Sequence, residues 1–427
     1  MKTVVLSRRH LLTAGVAAGC AGLLGATGAS ENALPDAIRS LKSMRGEVQP
    51  ISMDEYRERV SRAQRLMTEN ALQAILITGG TSLRYFTGIR WGTGERLSAV
   101  VLPAKGQPFF VVPRFEEDRL REQLRSSPFE VEKVEIRTWH EDESPYQLLA
   151  AGLRDHGIAT GTLGMNEAVP FVFSNSIAEA APALRIRSAT PITAGCRMTK
   201  SQAELDLMKL ANRATWLVYR AVHRSMNAEM TQHEVSALID AAYARVGFQG
   251  EASVQTGKYS ALPHGSTEPQ VVGEGSVVMI DDGCVVEGYC SDITRTFVLG
   301  RATDRQKKVF EIVARAQKAA LAEARPGVPC GSIDGVARKI IDSAGFGPDY
   351  KFFSHRLGHG IGLDGHEWPY LVRGNSQMLA KGMTFSDEPG IYIPGEFGVR
   401  LEDDFFITDN GAESFTSFSP SIEHPFD

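Results

Sequence analysis

The chain has 427 residues, room for two to three domains, with 43% hydrophobic and 23% charged residues. That balance describes an ordinary globular protein and excludes a disordered or fibrous one. A formal net charge of −5 provides no basic footprint for nucleic acid, so no such partner is expected.

The first thirty residues read as an address rather than as fold. A basic stretch containing Arg8 and Arg9 precedes an apolar, small-residue run over 11–28 and an Ala-, Gly- and Ser-rich cleavage region. Ser7-Arg8-Arg9-His10-Leu11-Leu12 has the pattern of a twin-arginine export signal. The expectation is a periplasmic or secreted protein without a membrane span in the mature chain. Residues 31–51 read as a linker.

A first folded unit is expected over 52–190. Ser52 and Glu55 form a capping-box pattern ahead of a helix with apolar positions at Val60, Ala63 and Met67. Short apolar strands follow at 74–77, 99–102 and 109–112, then a charged helix over 115–124. Strands alternating with helices indicate an α/β domain. His140 and His156 are isolated and read as surface or hydrogen-bonded histidines.

The second unit, 191–427, repeats a pattern. Ser201 with Glu204 and Thr231 with Glu234 cap two helices, and strands bearing His264, Asp281 and Asp292 follow. Thr303 with Gln306 then caps a third helix, a fourth covers 333–343, and strands bear His359, Glu388 and Glu402. Two helix–helix–strand halves would enclose a site on a pseudo-two-fold axis. Facing residues of a hairpin have numbers that add to a near-constant value. The turn at Glu287-Gly288 therefore brings Asp281 almost opposite Asp292, and the Gly-rich turn at 394–398 does the same for Glu388 and Glu402. Four carboxylates and an imidazole are too costly to bury together without cations. An oxygen-rich set with one histidine suits two divalent ions, Mn²⁺ foremost, with Fe²⁺, Co²⁺ or Zn²⁺ as alternatives. Strand alternation puts Cys284 and Cys290 on opposite faces of their hairpin. Cys196, Cys284, Cys290 and Cys330 are accordingly expected as buried free thiols.

At these motifs the chain resembles the prolidase, Xaa-Pro aminopeptidase, methionine aminopeptidase and creatinase family, the pita-bread metallohydrolases. The resemblance runs from about residue 52 to the end and is tightest over 262–404. It implies an α+β pita-bread catalytic domain with internal pseudo-two-fold symmetry behind a creatinase-type α/β domain, and a homodimer. It makes Asp281, Asp292, His359, Glu388 and Glu402 the metal ligands. Glu388 would also move the proton, His264 and His366 would serve the transition state, and His355, Tyr392 and Arg400 would stand behind the ligands or touch substrate. Tyr85 and Trp91 fall in a loop that reaches a neighbouring subunit in the family, although core packing suits Tyr85 better, and Arg295 reads as a structural ion pair. The implied activity is hydrolysis of an amide bond in a small peptide, of the Xaa-Pro aminopeptidase or prolidase kind. Asp282 and Asp387 depart from the family pattern and are expected to face solvent. If they instead face the site, a lyase or hydrolase of a small non-peptide compound is the alternative; a non-catalytic peptide-binding module is the other, opposed by the intact ligand set.

Overall fold

A computed structural model describes residues 34–427; the expected export signal lies outside them. The stretch read as a linker is partly built into the fold. It carries a short helix, α1 (Asp36–Arg39), and buries Ile38 and Met44 in the core of the C-terminal half.

The N-terminal domain follows. Ser52 caps α2 (Met53–Glu69) by accepting the Glu55 N–H at 3.2 Å. The expected reciprocal bond is replaced, because the Glu55 carboxylate reaches Arg59 and Ser201 instead. Next come β1 (Ala74–Thr78), α3 (Thr81–Thr87), β2 (Ala99–Pro103), β3 (Phe109–Pro113), α4 (Glu117–Leu124), β4 (Glu135–Trp139) and α5 (Pro145–Asp155). The domain ends with β5 (Gly161–Met165), α6 (Phe171–Ala180), β6 (Leu184–Ser188) and α7 (Thr190–Arg197). Its mixed sheet has the order β4-β3-β2-β1-β5-β6. The strands β1, β2 and β3 are buried along their whole length, as helix cover on both faces requires. α7 packs on α2, so this core continues to Cys196. Tyr85 is a core residue, its hydroxyl donating to the Cys196 carbonyl at 3.0 Å. His156 pairs with Glu135 at 2.8 Å, and His140 is exposed.

The C-terminal domain opens with α8 (Gln202–His223) and α9 (Gln232–Val246), both closed by reciprocal capping boxes. The strands β7 (Gln249–Gly250), β8 (Ser253–Thr256), β9 (Val277–Asp281), β10 (Cys284–Val286), β11 (Tyr289–Cys290) and β12 (Arg295–Val298) follow. The second half repeats the order with α10 (Asp304–Glu323), also boxed, and α11 (Cys330–Ile341), which starts ahead of the expected 333. Its strands are β13 (Gly358–Gly360), β14 (Glu367–Leu371), β15 (Thr384–Asp387), β16 (Gly390–Ile393), β17 (Phe397–Arg400), β18 (Asp403–Ile407) and β19 (Ala412–Ser414). The sheet β12-β9-β8 lays Val278, Ile280 and Phe297 against α8 and α9. The sheet β14-β13-β15-β18-β19 lays Leu371, Phe385 and Phe405 against α10 and α11.

Register places the acidic residues. One register runs through β15–β18 and β16–β17, from Asp387↔Asp403 to Gly390↔Arg400, so Glu388 and Glu402 face each other as expected. The first hairpin pairs Ile280 with Arg295 and Val285 with Cys290. That register puts Thr294, not Asp292, opposite Asp281, and leaves Asp292 opposite Gly283. The two aspartates are therefore diagonal neighbours, and the chain between them bends at Asp282, where φ is 120°. All four described cysteines are free, as expected, although Cys290 is only partly buried.

Candidate metal centre

The expected ligands converge between the two halves. Ligand atoms lie within 4.8 Å of one another in each of three overlapping sets: Asp281, Asp292 and Glu402; His359, Glu388 and Glu402; Asp292, His359 and His366. The His359 Nε2 is 3.4 Å from Glu388 Oε1 and 3.7 Å from Asp292 Oδ2. Its strand comes close to β15 because residue 358 is glycine. A Cβ there would stand 2.0 Å from the Ser386 carbonyl oxygen.

Charge crowding is severe. Burial, with Asp281 among the repelling neighbours, pushes Glu388 up to about 8 despite the pull of Arg400. Burial and then Asp281 raise Asp292 well above the carboxylate range; burial and then Asp292 do the same to Glu402. Burial lowers His359 to about 3, with the His366 ring adding to the effect, so its imidazole is neutral and available as a ligand. Carboxylates in this state, beside a neutral imidazole, fit divalent cations, which would hold them ionised.

Further side chains fix the expected ligands. Arg400 binds Asp281 through Nη2 and donates through Nη1 to the Tyr392 hydroxyl at 2.9 Å. His355 Nε2 lies 2.8 Å from that hydroxyl, and its Nδ1 lies 3.7 Å from Glu388 Oε2. Burial and then Arg400 lower His355 to about 3, keeping it neutral. His264 and His366 are both exposed at the mouth, and the His366 ring stacks on His359 with centroids 3.7 Å apart. His366 is thus also within ligand reach, which its position in a glycine-containing loop did not suggest.

Residues 206–409 match Metallopeptidase family M24, and residues 59–199 match the Creatinase/Prolidase N-terminal domain. The chain is 35% identical over 362 residues to the probable dipeptidase PepE of Mycobacterium tuberculosis, covering 84% of this chain and 94% of that protein. It is 31% identical to an Xaa-Pro dipeptidase of Pyrococcus horikoshii, covering 85% and 98%. The chain belongs to metallopeptidase family M24. The crystal structure of dipeptidase PepE from Mycobacterium ulcerans superposes with a TM-score of 0.81 at 34% identity, over 88% of this chain and 99% of that one. The protein is therefore a metal-dependent peptidase of the M24 family, with a pita-bread catalytic domain behind a creatinase-type domain.

Several residues of this M24 site escaped the sequence reading. The Thr294 hydroxyl lies between Asp281 and Glu402, sharing its proton with both, 2.6 Å from Glu402 Oε2, and accepts from Arg400 Nε at 3.0 Å. Ser386 accepts the His359 N–H at 3.2 Å and donates to Glu388 at 3.3 Å. Asp404 accepts from the Asp292 N–H at 2.9 Å and from Asn212 at 3.0 Å. Arg295 makes the expected structural pair, 2.7 Å from Asp403, with both side chains buried.

The expectation that Asp282 and Asp387 face solvent holds for Asp282, which is exposed, and needs correction for Asp387. Asp387 is fully buried, and both its carboxyl oxygens lack a hydrogen-bond partner. Strand alternation explains it: Glu388 points into the site, so Asp387 points the other way, into the interior beneath α10. Burial, with Asp403 and Glu388 nearby, raises it well above the carboxylate range, the state in which a buried acid keeps its proton. Asp282 is exposed at the surface of its turn; its carboxylate accepts from the Ser253 N–H at 3.3 Å and is pushed up to about 7 by the partial burial of the carboxyl group and then by Asp281.

Proposed function

We propose that this M24 peptidase is an Xaa-Pro dipeptidase working with two divalent ions, Mn²⁺ foremost. The observation that carries the reading is the convergence of Asp281, Asp292, His359, Glu388 and Glu402 into overlapping donor sets under two exposed histidines. The relatives named as dipeptidases support the substrate class. When bound, the ions supply Lewis acidity and make a water nucleophile available near neutral pH. With ions held by these five residues, Glu388 would accept the proton of the attacking water and pass it to the leaving nitrogen of proline. His264 and His366 donate hydrogen bonds to the oxyanion that develops on the scissile carbonyl. His355, Tyr392 and Arg400 keep Glu388 and Asp281 aimed. Of the two departures that raised a non-peptide substrate, Asp387 is turned away from the cleft, which weakens that alternative.

The test is a peptide panel on metal-loaded protein. Xaa-Pro dipeptides should be cleaved fastest. Faster cleavage of Xaa-Pro-Yaa tripeptides would make the enzyme an aminopeptidase, and failure on every peptide would overturn the reading.

Export and dimerisation belong to the same proposal. Replacing Arg8 and Arg9 together by Lys should retain the precursor in the cytoplasm; undiminished periplasmic protein would point to the general secretory route. Phe115 and Phe171, 62% and 81% exposed on the N-terminal domain, offer apolar surface for a second copy.

A further inference from the structure

The loop carrying His366 is fastened from the other domain. Arg197, the last residue of α7, donates from Nη2 to Asp364 Oδ2 at 2.6 Å and to Glu367. Lys200 donates to the remaining oxygen of Glu367 at 2.6 Å. Thr81, at the start of α3, gives its hydroxyl proton to Asp364 Oδ1. The two acids that flank His366 are thus held by groups outside the catalytic strands. The anchor is itself fixed, since the Lys200 N–H donates to the Gly382 carbonyl at 2.8 Å and Thr199 bridges Met383. The Lys200 and Glu367 side chains are only 1% and 6% exposed. Water therefore cannot replace a lost partner.

His366 stands in contrast. It is exposed, its ring makes no hydrogen bond among the described residues, and its ring contact is the stack on His359. The backbone at 365–367 sets where the ring stands, and the flanking acids set that backbone. Arg197, Asp364, His366 and Glu367 also line one cavity of about 310 Å³ between the domains, so a shift of the fastening is a shift of the cleft wall.

We propose that Arg197, seconded by Lys200, is a positioning residue for His366: the domain junction holds that imidazole at the height where it meets the reacting carbonyl. This rests on the reading of His366 as a transition-state donor. A misplacement of about 1 Å in such a group can cost roughly 10²-fold in rate.

A double-mutant cycle on the metal-loaded full chain, assayed on an Xaa-Pro dipeptide, tests it. Arg197→Met should lower kcat by roughly 10- to 100-fold, with KM and metal content unchanged and Arg197→Lys recovering part of the loss. Added to His366→Ala, Arg197→Met should cost nothing further. A loss that multiplies with that of His366→Ala, or metal lost in step with rate, would overturn the inference alone. Full activity in His366→Ala would overturn the reading of that histidine and the inference with it. Should Arg197→Met fail to fold, Glu367→Gln, which keeps shape and an acceptor for Lys200, runs the same cycle with the same outcomes.

Discussion

The two acidic hairpins are built differently. In the second, Glu388 and Glu402 face each other directly, within a register that continues on both sides of them. In the first, Asp281 and Asp292 are offset, and Thr294 stands where a facing carboxylate would be. Direct pairing brings two carboxylates together through strand geometry alone. Offset pairing needs an adapter, and the Thr294 hydroxyl is that adapter, tying Asp281 to Glu402 of the other hairpin. A pseudo-symmetric fold can thus hold an asymmetric set of ligands.

The largest effects are expected at the proposed ligands. Asp292→Ala and Glu402→Ala, one from each hairpin, should each lose at least one metal ion. Activity should fall by more than the roughly 10–100-fold typical of outer partners. Elemental analysis and turnover on the same preparations check this, and full metal retention in either variant would remove that hairpin from the site. The two loop histidines come next, one from each half. His264→Ala and His366→Ala should keep metal and lose about 10²–10³ in kcat, the scale of one oxyanion donor. A variant that loses metal together with rate would make its histidine a ligand, a live outcome for His366 given its place beside Asp292 and His359.

Smaller effects sharpen the difference between the hairpins. Thr294→Val should weaken metal affinity by about 10–100-fold. Ser386→Ala, which removes a 3.3 Å bond to the directly paired Glu388, should cost less. Equal losses in metal titrations would erase the distinction between adapter and direct pairing. The smallest effect concerns pH. In the metal-free fold Glu388 and Asp282 keep their protons up to about 8 and about 7, whereas ordinary carboxyls release them near 4.5 and 3.8. Folding therefore holds extra protons between those limits, and the stability they contribute is fully present below about pH 4 and lost as pH rises through 7 to 8. Metal-free protein should unfold at a lower temperature at pH 8 than at pH 5, and Glu388→Gln should flatten that slope. A metal-free protein more stable at pH 8 would contradict the crowding.

Much of this was legible in the sequence because the physics is local. Capping boxes at Ser201, Thr231 and Thr303 mark helix starts through side-chain-to-backbone bonds three residues apart. Uniformly apolar strands mark the doubly covered N-terminal sheet. The turn at Glu287-Gly288 fixed its hairpin, and a register carried strictly from that turn would have found Thr294. What stayed hidden depends on partners far along the chain. Ile38 is buried by helices some two hundred residues away, Asp387 by α10, and the Arg197 fastening joins residues of both domains. Asp387 also breaks the rule that buried acids have partners, so no composition-based reading would have placed it inside.

The most direct measurement is the number of divalent ions per chain, titrated with Mn²⁺ while hydrolysis of an Xaa-Pro dipeptide is followed. Two ions per chain are expected, with activity appearing as they fill. Stoichiometry below one after exposure to Mn²⁺, Fe²⁺, Co²⁺ and Zn²⁺ in turn, or full hydrolysis in metal-free protein, would contradict it.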